Sequence, residues 1–316
     1  MNFISTLKGS YSEPYYPEGW DFEKIDACIG SGAKEAAARQ DFWHPDFKPE
    51  ACHSLDDFNV LMGHEIALEI KKTYEKKQKL ALILPVGPMG MYRWVAFFIE
   101  KWNLNCDHVY TFNMDEWSDH EGNTLDGSQN GSFQYAMENG FFNLLGDRTV
   151  PVNQRNFATK EVLPTYSEKI AAIKAEGGKL VTVFGIGRTF HIAFWEPQFA
   201  ADYETEADWL QAEYRIAAQL HPLTIEQNAI TSYKSRYTLI PVTANTVGPG
   251  LFFQSDRMIG GCDGVLGRGM QWQGLSLWVT LRHGPSPWIT SSYIPTKPGV
   301  LYYLDELTGP LEPESN

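Results

Sequence analysis

Cysteine is scarce in this sequence, and the few cysteines form no pattern. The 316 residues include four of them, at positions 28, 52, 106 and 262, and none belongs to a Cys-x-x-Cys pair. The N-terminal residues 1–8 also lack the long apolar segment of a signal peptide. We therefore expect reduced thiols in a cytoplasmic protein rather than a disulfide framework.

Long hydrophobic runs and excess positive charge are also absent. The longest apolar run near a predicted helix, residues 94–99, is far shorter than the ~20 residues that span a membrane. The formal net charge is −13 and the pI is about 5.1, opposite to what a phosphate backbone attracts. We expect neither a membrane nor a nucleic acid as partner, and an anionic ligand would need a locally positive pocket.

The composition is that of a folded globular protein, with 43% hydrophobic and 14% aromatic residues. Residues 1–50 differ from the rest because proline and aromatic residues cluster there, at 10–17 and 43–49. We expect an N-terminal arm over residues 1–50 and one α/β domain over 51–316. Packing of the arm on its own domain is favoured over a subunit contact, because exposed aromatic clusters are costly.

Strand-like and helix-like segments alternate along the domain. The pattern predicts helices over 55–78, 89–104, 132–145, 166–176 and 270–281, and strands over 80–84, 108–112, 179–184, 237–241 and 299–304. Such alternation is typical of a doubly wound, mostly parallel sheet with helices on both faces.

Two polar loops follow predicted strands. Asp115 and Glu116 come just after the strand at 108–112, and His191 and Glu196 lie in a loop that opens with Gly185-Ile186-Gly187. Ligands of open α/β sheets bind at the carboxyl ends of strands, where a carboxylate and a histidine are suited to acid–base chemistry. Taken alone, the acidic pair would more simply cap the next helix and the histidine would be a core residue. Together they favour a site.

The same loops resemble the signatures of the glucosamine-6-phosphate deaminase (isomerase) family. Residues 111–116 are similar to its TFNMDEY segment, and residues 185–197 to its GIGxDGHIAFNEP segment. Weaker similarity runs from about residue 55 to 306. The resemblance implies that Asp115 shuttles a proton between C2 and C1 of an amino sugar, that His191 opens the sugar ring, and that Glu196 orients His191. We include Glu116 among the catalytic candidates.

Two departures from the family pattern affect the expected site. Thr189 and Phe190 stand where the family has Asp-Gly, and the phosphate loop, residues 84–89, is shorter, lacks a hydroxyl residue and contains Pro88. We expect Gly87, Met89, Arg188 and Thr189 to contact substrate. A phosphate would be held by Arg215 and Lys297, or the substrate lacks a phosphate at that position. Glucosamine 6-phosphate is therefore expected to be a poor substrate.

The predicted function is that of an amino-sugar isomerase/deaminase with no cofactor and no metal. A hexosamine phosphate is the favoured substrate, and a sugar without phosphate stays open. A 6-phosphogluconolactonase-like hydrolase and a sugar-binding homologue with impaired catalysis are the alternatives. The sequence leaves open whether the chain forms a homo-oligomer.

Overall fold

The computed structural model of the protein describes residues 4–267 and 270–313. Its helices are α1 Phe22–Ala27, α2 Ala33–Ala36, α3 Leu55–Glu75, α4 Gly90–Lys101, α5 Phe133–Gly140, α6 Tyr166–Ala175, α7 Glu206–Gln211, α8 Pro222–Thr231, α9 Pro249–Phe252 and α10 Gly274–Arg282. Its strands are β1 Phe47–Cys52, β2 Leu80–Leu84, β3 Val109–Asn113, β4 Asp115–Ser118, β5 Arg155–Asn156, β6 Lys179–Gly185, β7 Tyr214–Gln219, β8 Thr243–Val247, β9 Arg257–Cys262 and β10 Gly299–Leu304.

Seven strands form a parallel sheet in the order β1-β10-β9-β6-β2-β3-β5. From β2 the chain continues to β3 and β5 on one side, and from the neighbouring β6 it continues to β9 and β10 on the other. β1 pairs with β10 at the edge of the sheet. The junction between β2 and β6 is a topological switch point, where the loops at the carboxyl ends of the strands diverge and leave a crevice. The predicted doubly wound α/β fold is confirmed.

The sheet owes its stability to strands that are buried along their whole length. Every residue of β2 is buried, and helix α3 covers β1, β9 and β10 with a row that includes Phe58, Met62, Ile66 and Ile70. Full burial of one such side chain contributes about 1.5–3 kcal/mol. The helix begins at Ser54, whose hydroxyl accepts the backbone N–H of Asp57.

A second, antiparallel sheet lies in the order β4-β8-β7. Asp115 and Glu116 begin strand β4 of this sheet, so they are not in the open loop that the sequence predicts. The predicted strand at 237–241 is wrong: Tyr237–Leu239 forms a short 3₁₀ turn, with Tyr237 71% exposed.

The N-terminal arm packs on the domain. Trp20 and Trp43 are buried, and their indole N–H groups donate to the backbone carbonyls of Trp288 and Leu281. The boundary that we predicted at residue 50 falls inside β1, which pairs with β10 from Phe47 onwards. Residues 47–50 therefore belong to the central sheet.

Two further features concern the described residues. All four cysteines are free and buried. Across residues 4–267 and 270–313, no helix combines the length and apolarity needed to cross a bilayer.

Candidate active site

A cleft of about 730 Å³ opens at the carboxyl ends of the parallel strands. Pro85–Met89 after β2, Asp115 after β3, Gly187 and His191 after β6 and Asp263 after β9 all line it. Helix α8 and the residues after it close one side with Gln227, Asn228, Thr231, Ser232 and Tyr233. The structure therefore brings the two sequence-predicted loops together at the switch point of the sheet.

Asp115 lies in the cleft wall with its side chain almost buried. It is 6% exposed, and the described residues offer its carboxylate no hydrogen-bond donor. Burial raises the pKa of Asp115 well above its ordinary value, and the negative charge of Glu116 raises it further. A carboxyl group with a raised pKa that faces a cleft can both accept and return a proton.

Glu116 points away from the cleft, towards helix α5. Its Oε1 accepts the backbone N–H groups of Trp117 and Phe133, and its Oε2 accepts that of Gln134, all at 2.9–3.0 Å. Burial raises the pKa of Glu116, against the lowering effect of these three donors. The expected catalytic role of Glu116 does not fit this geometry, because its oxygens cap the helix.

His191 is held from behind by a chain of polar groups. Its Nδ1 lies 2.8 Å from Thr189 Oγ1, and the Thr189 hydroxyl donates to Glu196 Oε2 at 2.8 Å. The direct distance from His191 Nδ1 to Glu196 Oε2 is 3.2 Å. Since the threonine proton is committed to Glu196, Nδ1 carries a proton and donates it to the threonine oxygen. Thr189 thus joins the histidine to the carboxylate and does not contact the cleft.

Burial alone would raise the pKa of Glu196. The charge of His191 and the hydrogen bonds from His191, Thr224 and Thr189 outweigh burial, so its pKa is lowered. The buried Glu196 is therefore a carboxylate that fixes the tautomer of the histidine.

The other edge of the imidazole faces the cleft. A Cβ at Gly187 would lie 1.9 Å from His191 Nε2, so only glycine allows the ring to lie over the backbone here. No residue of the described part of the chain hydrogen-bonds to Nε2. In the neutral ring, Nε2 is an unprotonated acceptor at the cleft surface.

The predicted substrate-binding residues differ in position, and Thr189, which lies behind His191, does not line the cleft. Gly87 and Met89 line the cleft. Arg188 lies beside it, with its backbone N–H on the Gln227 side chain and its guanidinium paired with Glu226.

Arg215 and Lys297 are not in the cleft, and their expected role there is not met. The Arg215 guanidinium lies 4.2 Å from the Phe199 ring centroid and pairs with Asp202. Lys297 precedes β10, at the amino-terminal edge of a parallel sheet whose carboxyl-terminal edge holds the cleft. Among the described residues that line the cleft there is no Lys or Arg.

Asp263 and the cleft wall formed by α8 were not predicted from the sequence. Asp263 follows β9, which was overlooked because Gly260 and Gly261 weaken the strand pattern. Both positions need glycine, since a Cβ would lie 2.2 Å from the Phe184 ring and 2.3 Å from the Phe58 ring. The dipeptide His221-Pro222, with proline at the first helical position, is the signal that could have located α8.

The chain is similar in sequence to curated glucosamine-6-phosphate deaminases. Over 188 residues the chain is 29% identical to a glucosamine-6-phosphate deaminase of Clostridium acetobutylicum, covering 58% of this chain and 70% of the relative. Over 209 residues it is 27% identical to the deaminase of Borrelia hermsii, covering 65% and 72%. No family model matches the chain.

Solved structures show the same fold. A monomeric glucosamine-6-phosphate deaminase superposes with a TM-score of 0.65 at 19% identity, covering 82% of this chain and 98% of that one. A 6-phosphogluconolactonase from Shewanella baltica gives 0.54 at 11% identity, covering 83% and 99%. The chain is therefore similar to glucosamine-6-phosphate deaminases in sequence, and similar to one of them in fold, which confirms the resemblance predicted from the sequence.

Proposed function

We propose that this protein is an amino-sugar isomerase/deaminase in which Asp115 moves a proton and His191 opens the sugar ring. The observation that carries the proposal is the convergence of Asp115 and His191 on one cleft at the switch point of the sheet. The similarity of the chain to glucosamine-6-phosphate deaminases supports the same chemistry.

Ring opening is assigned to His191. Its Nε2 takes the proton of the anomeric hydroxyl while the bond from C1 to the ring oxygen breaks, and it returns that proton to the ring oxygen. The products are a C1 aldehyde and a free hydroxyl. The imidazolium that forms in between is stabilised by Glu196, directly and through Thr189.

Proton transfer between C2 and C1 is assigned to Asp115. Its carboxylate removes the C2 proton while O1 takes a proton from solvent, which gives an enolamine. The same group then delivers its proton to C1, and the resulting iminium ion loses a proton to solvent to leave an imine at C2. Water adds to that imine and ammonia leaves, so a 2-amino aldose and water give a ketose and ammonia. The raised pKa of Asp115 suits a group that must both take and return the proton.

The lining of the cleft supports a polyhydroxylated ligand. Amides and hydroxyls from α8 and the residues after it line the cleft together with residues 85–89. Arg215 and Lys297, which we expected to bind a phosphate, lie outside the cleft. We therefore propose that amino sugars are bound through their hydroxyl groups and that glucosamine 6-phosphate is a poor substrate.

The test is a turnover screen with glucosamine and glucosamine 6-phosphate, in which both ketose and ammonia are measured. We expect ketose formation, with a lower kcat/KM for glucosamine 6-phosphate than for another amino sugar. Turnover of glucosamine 6-phosphate at ordinary enzyme rates, with a sub-millimolar KM, would contradict the substrate preference. Hydrolysis of 6-phosphogluconolactone without isomerisation would identify a lactonase, and a sugar-induced thermal shift without any turnover would identify a binding protein.

A further inference from the structure

The N-terminal arm contacts the histidine loop at a point directly beside His191. Trp20 of the arm lies with its ring centroid 4.9 Å from that of Phe190. Both rings are buried in one cluster, which also contains Ile25, Val279 and Ile289. The arm therefore covers the face of the histidine loop that points away from the cleft.

Phe190 adopts a backbone conformation that phenylalanine avoids. Its φ is +64°, in the left-handed region, where a residue with a Cβ is strained. Its N–H donates to the Gly187 carbonyl at 3.0 Å, and its own carbonyl accepts the N–H of Ser291 at 2.8 Å. This turn sets the direction of the next residue, His191. Burial of the Phe190 ring against Trp20 opposes the strain and holds the turn in place.

A second connection runs through His221. Its backbone N–H donates to Glu196 Oε1 at 3.2 Å, and its Nδ1 accepts the N–H of Leu223 at 3.1 Å. Since Nδ1 is an acceptor, Nε2 carries the proton and donates it to the Tyr15 carbonyl of the arm. His221 thereby links the arm to the carboxylate that fixes the tautomer of His191.

His221 also precedes α8, which contributes to the same site. Thr224 Oγ1 lies 3.3 Å from His191 Nδ1, and the Trp20 ring lies 6.3 Å from the His221 ring. The arm thus contacts both sides of the relay, the turn at Phe190 and the start of α8.

We infer that the arm segment Tyr15–Trp20 is a positioning element for the His191 relay, acting through Phe190 and His221. Glycine would adopt the turn before His191 without strain, whereas the bulky Phe190 depends on packing against the arm to hold the same turn. Trp20 and His221 are positioning residues, since neither lines the cleft. The inference rests on the proposed role of His191, but it concerns the tautomer of the ring and can be tested without a substrate.

The experiment uses full-length protein labelled with ¹⁵N-histidine and records the two ring-nitrogen resonances of His191 at a pH where the ring is neutral. The resonances are assigned with His191→Gln. Wild type should show one tautomer, with Nδ1 protonated. In Trp20→Ala we expect the two resonances to move towards each other as the second tautomer becomes populated, and in Trp20→Phe we expect most of the wild-type separation to remain.

Trp43→Ala is the matched control. Trp43 is also a buried arm tryptophan whose indole donates to a backbone carbonyl, but it packs on Phe47, away from the histidine loop. It should lower stability while leaving the His191 resonances at their wild-type positions. If Trp20→Ala does not fold, Trp20→Leu takes its place.

A single Nδ1-protonated tautomer in folded Trp20→Ala, or in folded Trp20→Leu where that variant replaces it, would overturn the inference, as would equal changes in Trp20→Ala and Trp43→Ala. Absence of sugar turnover in a wild-type protein with the expected tautomer would contradict only the proposed function.

Discussion

Asp115 and Glu116 are neighbours in the sequence, yet the structure gives their carboxylates different surroundings. They begin strand β4, so their side chains point to opposite faces. One faces the cleft without a donor, and the other accepts three backbone N–H groups. A one-residue difference in position therefore separates the proposed proton carrier, Asp115, from the helix cap, Glu116.

Asp115→Asn should abolish most turnover while sugar binding persists. The amide has the same shape but cannot accept the C2 proton, and loss of a general base costs about 10²- to 10⁴-fold in rate. Steady-state kinetics and a sugar-induced thermal shift check the two halves of this prediction. Turnover close to wild type would exclude Asp115 as the base.

The same substitution should stabilise the folded protein at neutral pH. Because the folded pKa of Asp115 is raised, the folded state binds this proton more tightly than the unfolded chain. Stability is therefore lost as the pH rises from about 3.9 towards the folded pKa. Urea unfolding of both proteins across pH should show Asp115→Asn as the more stable at neutral pH, with the difference vanishing below about pH 4. Equal stability throughout would contradict the raised pKa.

Thr189→Val tests the relay behind His191. Valine preserves the shape but removes the hydroxyl that donates to Glu196 Oε2 from Thr189, which should cost about 1–3 kcal/mol in the free energy of unfolding. Thr189→Ser is the control, because it retains the hydroxyl. If valine and serine variants unfold at the same urea concentration, Thr189 is not part of a buried hydrogen-bonded relay.

At the scale of elements, helix α5 depends on a residue outside itself. Glu116 accepts the N–H groups of Phe133 and Gln134 in its first turn, and the Ser132 hydroxyl accepts that of Tyr135. The alternative interpretation, in which the acidic pair caps the next helix, thus holds for Glu116 and not for Asp115.

Glu116→Ala should destabilise the protein by about 1–3 kcal/mol, because it leaves buried N–H groups without an acceptor. Glu116→Gln keeps an acceptor oxygen and should retain far more activity than Asp115→Asn. Unfolding midpoints and kcat together separate a cap from a catalytic group. A loss of turnover in Glu116→Gln as deep as in Asp115→Asn would assign Glu116 to the chemistry.

At the scale of the whole molecule, the sequence predicted the apolar central strands and the order of the α/β layers. β2 is a continuous apolar run, and the interior of β6 is apolar except for Thr182, so both strands have few stable placements other than the middle of a sheet. β8 was missed because its buried residues, Thr243–Val247, include three polar side chains. Asn245 illustrates the reason: its side chain bonds to the carbonyls of Gly122 and Ala158 and to the N–H of Ala217, partners that only the folded chain supplies.

The site was predictable where it followed strand ends and not where it depended on long-range packing. Asp115 and His191 follow buried strands, so their meeting was expected. The position of Lys297 was not predicted, because a motif match does not say at which edge of the sheet a lysine lies. Trp20 of the arm and Phe190 of the histidine loop are 170 positions apart, and no local sequence pattern predicts that their rings come into contact.

The central claim, that Asp115 and His191 together isomerise an amino sugar, is tested most directly by solvent exchange. Glucosamine and glucosamine 6-phosphate are incubated separately with enzyme in D₂O, and the C1 and C2 protons of sugar and product are followed by proton NMR. The claim predicts deuterium at these carbons with the wild-type protein for at least one of the two sugars, and loss of that exchange with both Asp115→Asn and His191→Gln. Exchange that persists in Asp115→Asn, or none with either sugar, would contradict it.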